Sequence, residues 1–227
     1  MNKAPILLIC LHADPTQPSG ILEGGGTHAY LRELTVGLAA RGHACHVVTR
    51  RRSPDLASLV KVSPLTTLQR IDIGEPGPMD KRLLDGLHLE TFARLNDLWG
   101  HFPCPPRLIH SVYWNSGRVA MELSATHAIP FVHTVISNGK GRLARGATGN
   151  SQNREAVEER VFRAAARIFS ISQDEKQDLV ALYGVDPGKI VVIGRPVDAA
   201  YLSPAQDEMG NPRDPWATES SGGPAPE

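Results

Sequence analysis

Short, nearly continuous apolar runs recur along the chain, at residues 5–10, 44–49, 108–112, 131–135, 167–171 and 190–193. Runs of this length without strict alternation fit strands covered on both faces. Residues 59–73 add one or two edge strands, interrupted at Pro64. Between the runs, apolar residues return at helical spacing. The first helix is predicted over 27–41, with Leu31, Leu34 and Leu38 as its stripe and Gly42 closing it. Others are predicted over 80–99, with Leu84, Leu87 and Leu98 inward, and over 116–127, 153–165 and 173–183. The last has Ser172 as N-cap and Asp174 and Glu175 in its first turn, which suits the helix dipole. Strands alternating with helices predict an α/β fold: a doubly wound, Rossmann-like parallel sheet forming one domain over 1–202.

Two loops stand out. Residues 11–26 are long for a strand-to-helix connection and rich in Pro and Gly. Residues 136–151 carry four glycines together with Lys140, Arg142 and Arg145. Residues 203–227 show no apolar periodicity and read as a disordered polar tail.

Length and charge narrow the classes. At 227 residues the chain is too short for two full doubly wound domains. Lys+Arg and Asp+Glu balance at 24 each, which argues against a nucleic-acid polyanion or an anionic membrane as main partner. Cys10, Cys45 and Cys104 are too scattered for a disulfide framework or a metal knuckle, and the first two read as small core residues. The apolar run at 6–11 is too short for a signal sequence or a membrane span, so a cytoplasmic protein is expected.

The candidate chemistry lies just past the predicted strands, where open parallel sheets bind ligands. Gly24-Gly25-Gly26 precedes a helix whose free N–H groups point back at the loop, which suits a phosphate; a flexible loop without a ligand is the alternative. A dinucleotide fits less well. The spacing is not G-x-G-x-x-G, and the second strand ends in Thr49-Arg50-Arg51-Arg52 with no acidic residue for a ribose diol. Those arginines read as a solvated strand end sooner than as a phosphate clamp. His110 ends an apolar strand and either bonds a sugar or satisfies backbone groups there; His133 holds the equivalent place on the next strand. Arg154, with Lys81, Lys140 and Arg142, could form a cationic pocket for a phosphorylated ligand. No histidines show metal-ligand spacing, and no metal or other cofactor is expected.

Together these motifs resemble the N-terminal half of glycosyltransferase family 4, the retaining enzymes of the GT-B fold, over roughly 6–198. The resemblance points to the branch with sucrose-phosphate synthases and inositol-phosphate glycosyltransferases. It is carried by Gly25-Gly26-Thr-His-Ala-Tyr30, Arg41-Gly42-His43, Thr49-Arg50, Leu108-Ile-His-Ser-Val-Tyr-Trp-Asn-Ser-Gly117, Ile129-Pro-Phe-Val-His-Thr134, and Ser172 through Leu179 to Tyr183-Gly184-Val185.

The resemblance implies hexosyl transfer from a nucleotide sugar, a UDP-sugar above all, to a phosphorylated or polyol acceptor. Gly25 and Gly26 would face the donor diphosphate and the acceptor. Lys81, His110, Tyr113, Ser137 and Arg154 would bind the acceptor. The chain also departs from the family. Ile136 stands where the family has a histidine against the donor sugar, and Val112 replaces the second histidine of H-S-H. Pro196-Val197-Asp198 replaces G-V-D. The family's donor-binding C-terminal domain is absent from these residues, so a second chain would have to supply it. The alternative is a non-catalytic sugar-phosphate-binding or regulatory module.

Overall fold

The computed structural model describes residues 4–17, 26–148 and 153–194. Strands β1 (Ile6–Ile9), β2 (Cys45–Arg50), β3 (Leu59–Ser63), β4 (Thr66–Ile71), β5 (Leu108–Val112), β6 (Phe131–Val135), β7 (Arg167–Ser170) and β8 (Ile190–Val192) form one sheet. Their order is β3-β4-β2-β1-β5-β6-β7-β8. All neighbours run parallel except β3 and β4. Residues 59–73 thus give two strands, of which β3 alone lies at the edge. The chain starts at β1 in the middle, winds outward through β2 and β4, then returns to pair β5 on the other flank of β1. The crevice beyond β1 and β5 is therefore the switch point at which such sheets bind ligands.

Helices α1 (Gly26–Ala40), α2 (His88–Trp99), α3 (Trp114–His127), α4 (Gly139–Ala144), α5 (Arg154–Ala164) and α6 (Gln173–Tyr183) connect the strands. Side chains alternate across the sheet as the pleat requires. Leu8, Val47, Leu68 and Val112 share one core with Tyr30 and Leu31 of α1. Leu7, Ile9, Val48 and Ile109 share the other with Leu95, Val119, Leu123 and Phe162. With both faces covered, the strands carry apolar residues at nearly every position. Cys10 and Cys45 are buried and, like Cys104, free.

Two elements differ from the sequence-based expectation. Residues 80–87 do not join the second helix; they form a turn with one 3-10 segment at Leu83–Asp85, and α2 starts at His88. Leu84 and Leu87 face inward either way, so apolar spacing could not separate the two forms. Within the glycine-rich loop at 136–151, residues Gly139–Ala144 form α4, capped by the Asn138 side chain accepting the Gly141 N–H at 2.6 Å. The boundary at 202 and the tail at 203–227 lie outside the described residues. Among those described, no helix is long and apolar enough to cross a membrane.

Arg50 and Arg51 at the end of β2 are structural, and Arg50 is not solvated as the sequence suggested. Arg50 is buried and donates to the backbone carbonyls of Ile73 (3.1 Å), Gly77 (2.8 Å) and Glu75. Arg51 pairs with Asp72 at 2.7 Å. Arg50 thereby fixes the segment leading to Lys81.

Candidate functional site

Tyr113 leaves β5 directly into the switch-point crevice and is the N-cap of α3. Its backbone sits at φ 72°, ψ 152°, a region populated almost only by glycine and costing about 1–3 kcal/mol for a residue with a Cβ. The surroundings hold it there. Its N–H donates to the Thr134 carbonyl at 3.1 Å, and its carbonyl accepts the Gly117 N–H at 3.0 Å. The phenol ring is nearly buried and lies 4.7 Å from the His12 ring, centroid to centroid. Two cations lie against it: Lys81 Nζ at 5.1 Å and Arg154 Cζ at 5.2 Å from the centroid.

Arg154 opens α5 and is buried. Its Nε donates to Glu158 Oε1 at 2.7 Å. One terminal nitrogen, Nη2, donates to the Ser137 carbonyl at 2.6 Å and hydroxyl at 3.2 Å; the other, Nη1, reaches the Tyr113 hydroxyl at 3.4 Å. Burial pushes the Glu158 carboxyl above its usual range, against the pull of Arg154.

Lys81 is set by its turn rather than by a helix. Its carbonyl accepts from Asn115 Nδ2 at 3.2 Å. Farther along the turn, Arg118 of α3 holds Asp85 at 2.7 Å and His88 at 2.9 Å. Desolvation lowers the Lys81 ammonium pKa, and the charges of Arg154 and Arg142 lower it further. The crevice thus concentrates positive charge.

Beneath it lie groups that sequence reasoning passed over. His12 is buried, with Nδ1 3.7 Å from Cys10 Sγ, and desolvation lowers it to about 3, so the ring stays neutral. His28, in the first turn of α1, is fully buried; its Nδ1 lies within hydrogen-bond reach of the Asp14 N–H and carbonyl, at 3.0 and 2.7 Å. Asp14 in turn pairs with the buried Arg70 at 2.7 Å. These residues were hidden because the contacts that place them beside the crevice, His12 with Tyr113 and Asp14 with Arg70, join positions far apart in sequence. Glu158 carried one signal, its i, i+4 spacing from Arg154.

The structure therefore brings Lys81, Tyr113, Ser137 and Arg154 together. Gly26 is the exposed first residue of α1, while Gly25 lies outside the described residues. The structure does not place His110 with the others. It points to the α1 side of the sheet, where Nε2 bonds Thr134 Oγ1 at 2.8 Å and that hydroxyl bonds Tyr30 at 2.9 Å. His133 is likewise occupied, 2.8 Å from the Ser111 hydroxyl. Lys140 does not join the cationic crevice as expected. Its ammonium is bound to Glu159 and to the Leu182 carbonyl, against the Tyr183 ring. Ile136 is half-buried and packs against both cores, offering the crevice no polar group. Among the described residues no cluster of three His, Cys, Asp or Glu side chains could hold a metal.

Residues 24–201 match the family model of Glycosyltransferase Family 4. A D-inositol 3-phosphate glycosyltransferase of Kineococcus radiotolerans is 31% identical over 204 residues, covering 88% of this chain and 47% of that protein. One of Kribbella flavida is 32% identical, with 88% and 48% covered. Among solved structures, the sucrose-phosphate synthase of Thermosynechococcus elongatus superposes with a TM-score of 0.77 at 25% identity, covering 85% of this chain and 48% of that one. The chain spans about half the length of the curated relatives it matches.

Proposed function

The chain belongs to glycosyltransferase family 4, and from that premise we propose that its crevice binds the phosphate of a phosphorylated polyol acceptor during sugar transfer. The observation that carries this reading is the convergence of Lys81 and Arg154 on the Tyr113 ring, with the Ser137 hydroxyl beside them. An ammonium, a guanidinium edge and two hydroxyls suit the oxygens of a phosphate monoester. The relatives' names speak of inositol 3-phosphate, and a cyclitol monophosphate is the acceptor class we propose here.

The reaction would move a hexosyl group from a nucleotide sugar with retention. The acceptor hydroxyl would bond the anomeric carbon and lose its proton, and the nucleoside diphosphate would leave with the broken bond's electrons. Gly25, Gly26 and the N-terminus of α1 would face that diphosphate, where helix N–H groups favour negative charge. Since the chain spans about half of its relatives' length, a donor grip like theirs requires residues beyond these 227, on this polypeptide or on a second chain. No metal or other cofactor enters the proposal, and the protein would act in the cytoplasm.

One observation favours a second reading, a binding module without chemistry. Ile136 lies at the exit of β6 with its side chain packed into the cores, where the family resemblance expects a histidine against the donor sugar. A thermal-shift screen separates anion recognition from general sugar affinity. Cyclitol and hexose monophosphates should raise the melting temperature by mass action, and their unphosphorylated counterparts should not. Equal shifts from both sets would refute the phosphate reading.

A further inference from the structure

We infer that Glu158 is a positioning residue that aims Arg154 Nη1 into the crevice; its consequence for ligand affinity rests on the phosphate reading above. Glu158 lies one helical turn after Arg154 and is fully buried. Its two oxygens serve three donors on three elements. Oε1 accepts from Arg154 Nε at 2.7 Å, while Oε2 accepts the Gly139 N–H at 2.8 Å and the Tyr183 hydroxyl. The carboxylate therefore ties α5 to the start of α4 and to the end of α6. Gly139 permits the approach: a Cβ there would stand 3.1 Å from Glu158 Oε2 and 2.9 Å from Glu155 Oε1.

The consequence follows from the planar fork of a guanidinium. Nε is held by Glu158, and Nη2 is held by the Ser137 carbonyl and hydroxyl. The group cannot rotate without breaking both. The remaining nitrogen, Nη1, has only the Tyr113 hydroxyl at 3.4 Å among the described residues, longer than an ordinary N–H···O bond. It is the edge left for an anion. Glu158 itself is sealed off, so its charge orients the arginine without meeting the ligand. A glutamine could not reproduce this. Its single carbonyl oxygen cannot serve both sides of the old carboxylate, and its NH2 would face an N–H or O–H donor.

The test is a double-mutant cycle on the full chain with inorganic phosphate as probe, read by calorimetry. Glu158→Gln should weaken phosphate binding by about tenfold or more. The same substitution placed on Arg154→Ala should cost nothing further, because its effect passes through the arginine. A loss of equal size in both backgrounds would mark Glu158 as merely structural and overturn the inference, as would no loss at all.

A second measurement needs no ligand. Proton exchange at Arg154 Nε–H, followed by NMR, should be slow in the wild type and about tenfold faster or more in Glu158→Gln, which removes a charged hydrogen bond. Glu158→Asp keeps the charge but draws the carboxylate back from Nε, and serves if Glu158→Gln does not fold; it should also speed that exchange. Fast exchange in the wild type, or exchange indifferent to both substitutions, would overturn the aiming role. Protected, Glu158-dependent exchange without phosphate binding would support the aiming role and sink the phosphate reading instead.

Discussion

At Tyr113 the backbone adopts φ 72° and ψ 152° although the residue carries a large side chain. Glycine would relieve the strain but remove the ring against which both cations lie. Tyr113→Gly and Tyr113→Ala lose the same ring and differ mainly in backbone freedom. The glycine variant should be the more stable by about 1–2 kcal/mol in urea unfolding. Equal stabilities would mean that the strain is not real. The buried histidines set a pH response at the same scale. Desolvation lowers His110 to about 4 and His12 and His133 to about 3, all below the unfolded value near 6.5. The unfolded chain then binds more protons below pH 6.5, so stability is full above that pH and falls as pH drops towards 4. Glu158 and Glu175, raised by burial, act in the opposite sense across the carboxylate range. His110→Gln keeps a partner for Thr134 and should flatten the slope of unfolding free energy between pH 6.5 and 4; an unchanged slope would remove His110 from this account.

Among the elements, the close approach of α3 and α5 shapes the crevice, and Gly117 permits it. A Cβ at Gly117 would stand 2.8 Å from His133 Cε1 and 2.9 Å from Val161 Cγ1. Replacing a helical glycine by alanine gains about 0.5–1 kcal/mol in backbone terms, but overpacking a core costs about 1–3 kcal/mol. Gly117→Ala should therefore destabilise the fold. Gly37→Ala in α1, whose new methyl meets only Arg41 at 3.7 Å, should stabilise it slightly. Denaturation midpoints check both signs. The sheet was legible at this scale because parallel strands covered on both faces need continuous apolar runs. The region around Lys81 was not, since Leu84 and Leu87 bury equally well in a turn or a helix. Neither was α4, whose glycines masked its Asn138 cap. Tyr113, Ser137 and Arg154 were expected in one cleft from their places past parallel strands and from family motifs. Lys81 was expected there from the family resemblance and from a cationic grouping of which another member, Lys140, is bound elsewhere. The side of the sheet that His110 faces was not foreseen, because strand parity alone does not say which face the ligand uses.

For the whole molecule, the chain forms a GT-B-like half whose switch point opens onto a cationic crevice, and it spans about half the length of the relatives it matches. If the donor is gripped as the family resemblance implies, these 227 residues alone should bind an acceptor phosphate yet transfer no sugar, as a radiolabelled nucleotide-sugar assay would record. Steady turnover by the isolated chain would show that the crevice completes a site unaided. The central claim is tested most directly by calorimetric titration of inositol 3-phosphate and of unphosphorylated inositol into the wild type and Arg154→Ala. The account predicts saturable binding of the phosphate ester and far weaker binding of inositol. It also predicts a loss of about 1.5–3 kcal/mol for the ester in the variant, the worth of a charged hydrogen bond. Equal affinity for the two ligands, or an ester affinity untouched by Arg154→Ala, would contradict it.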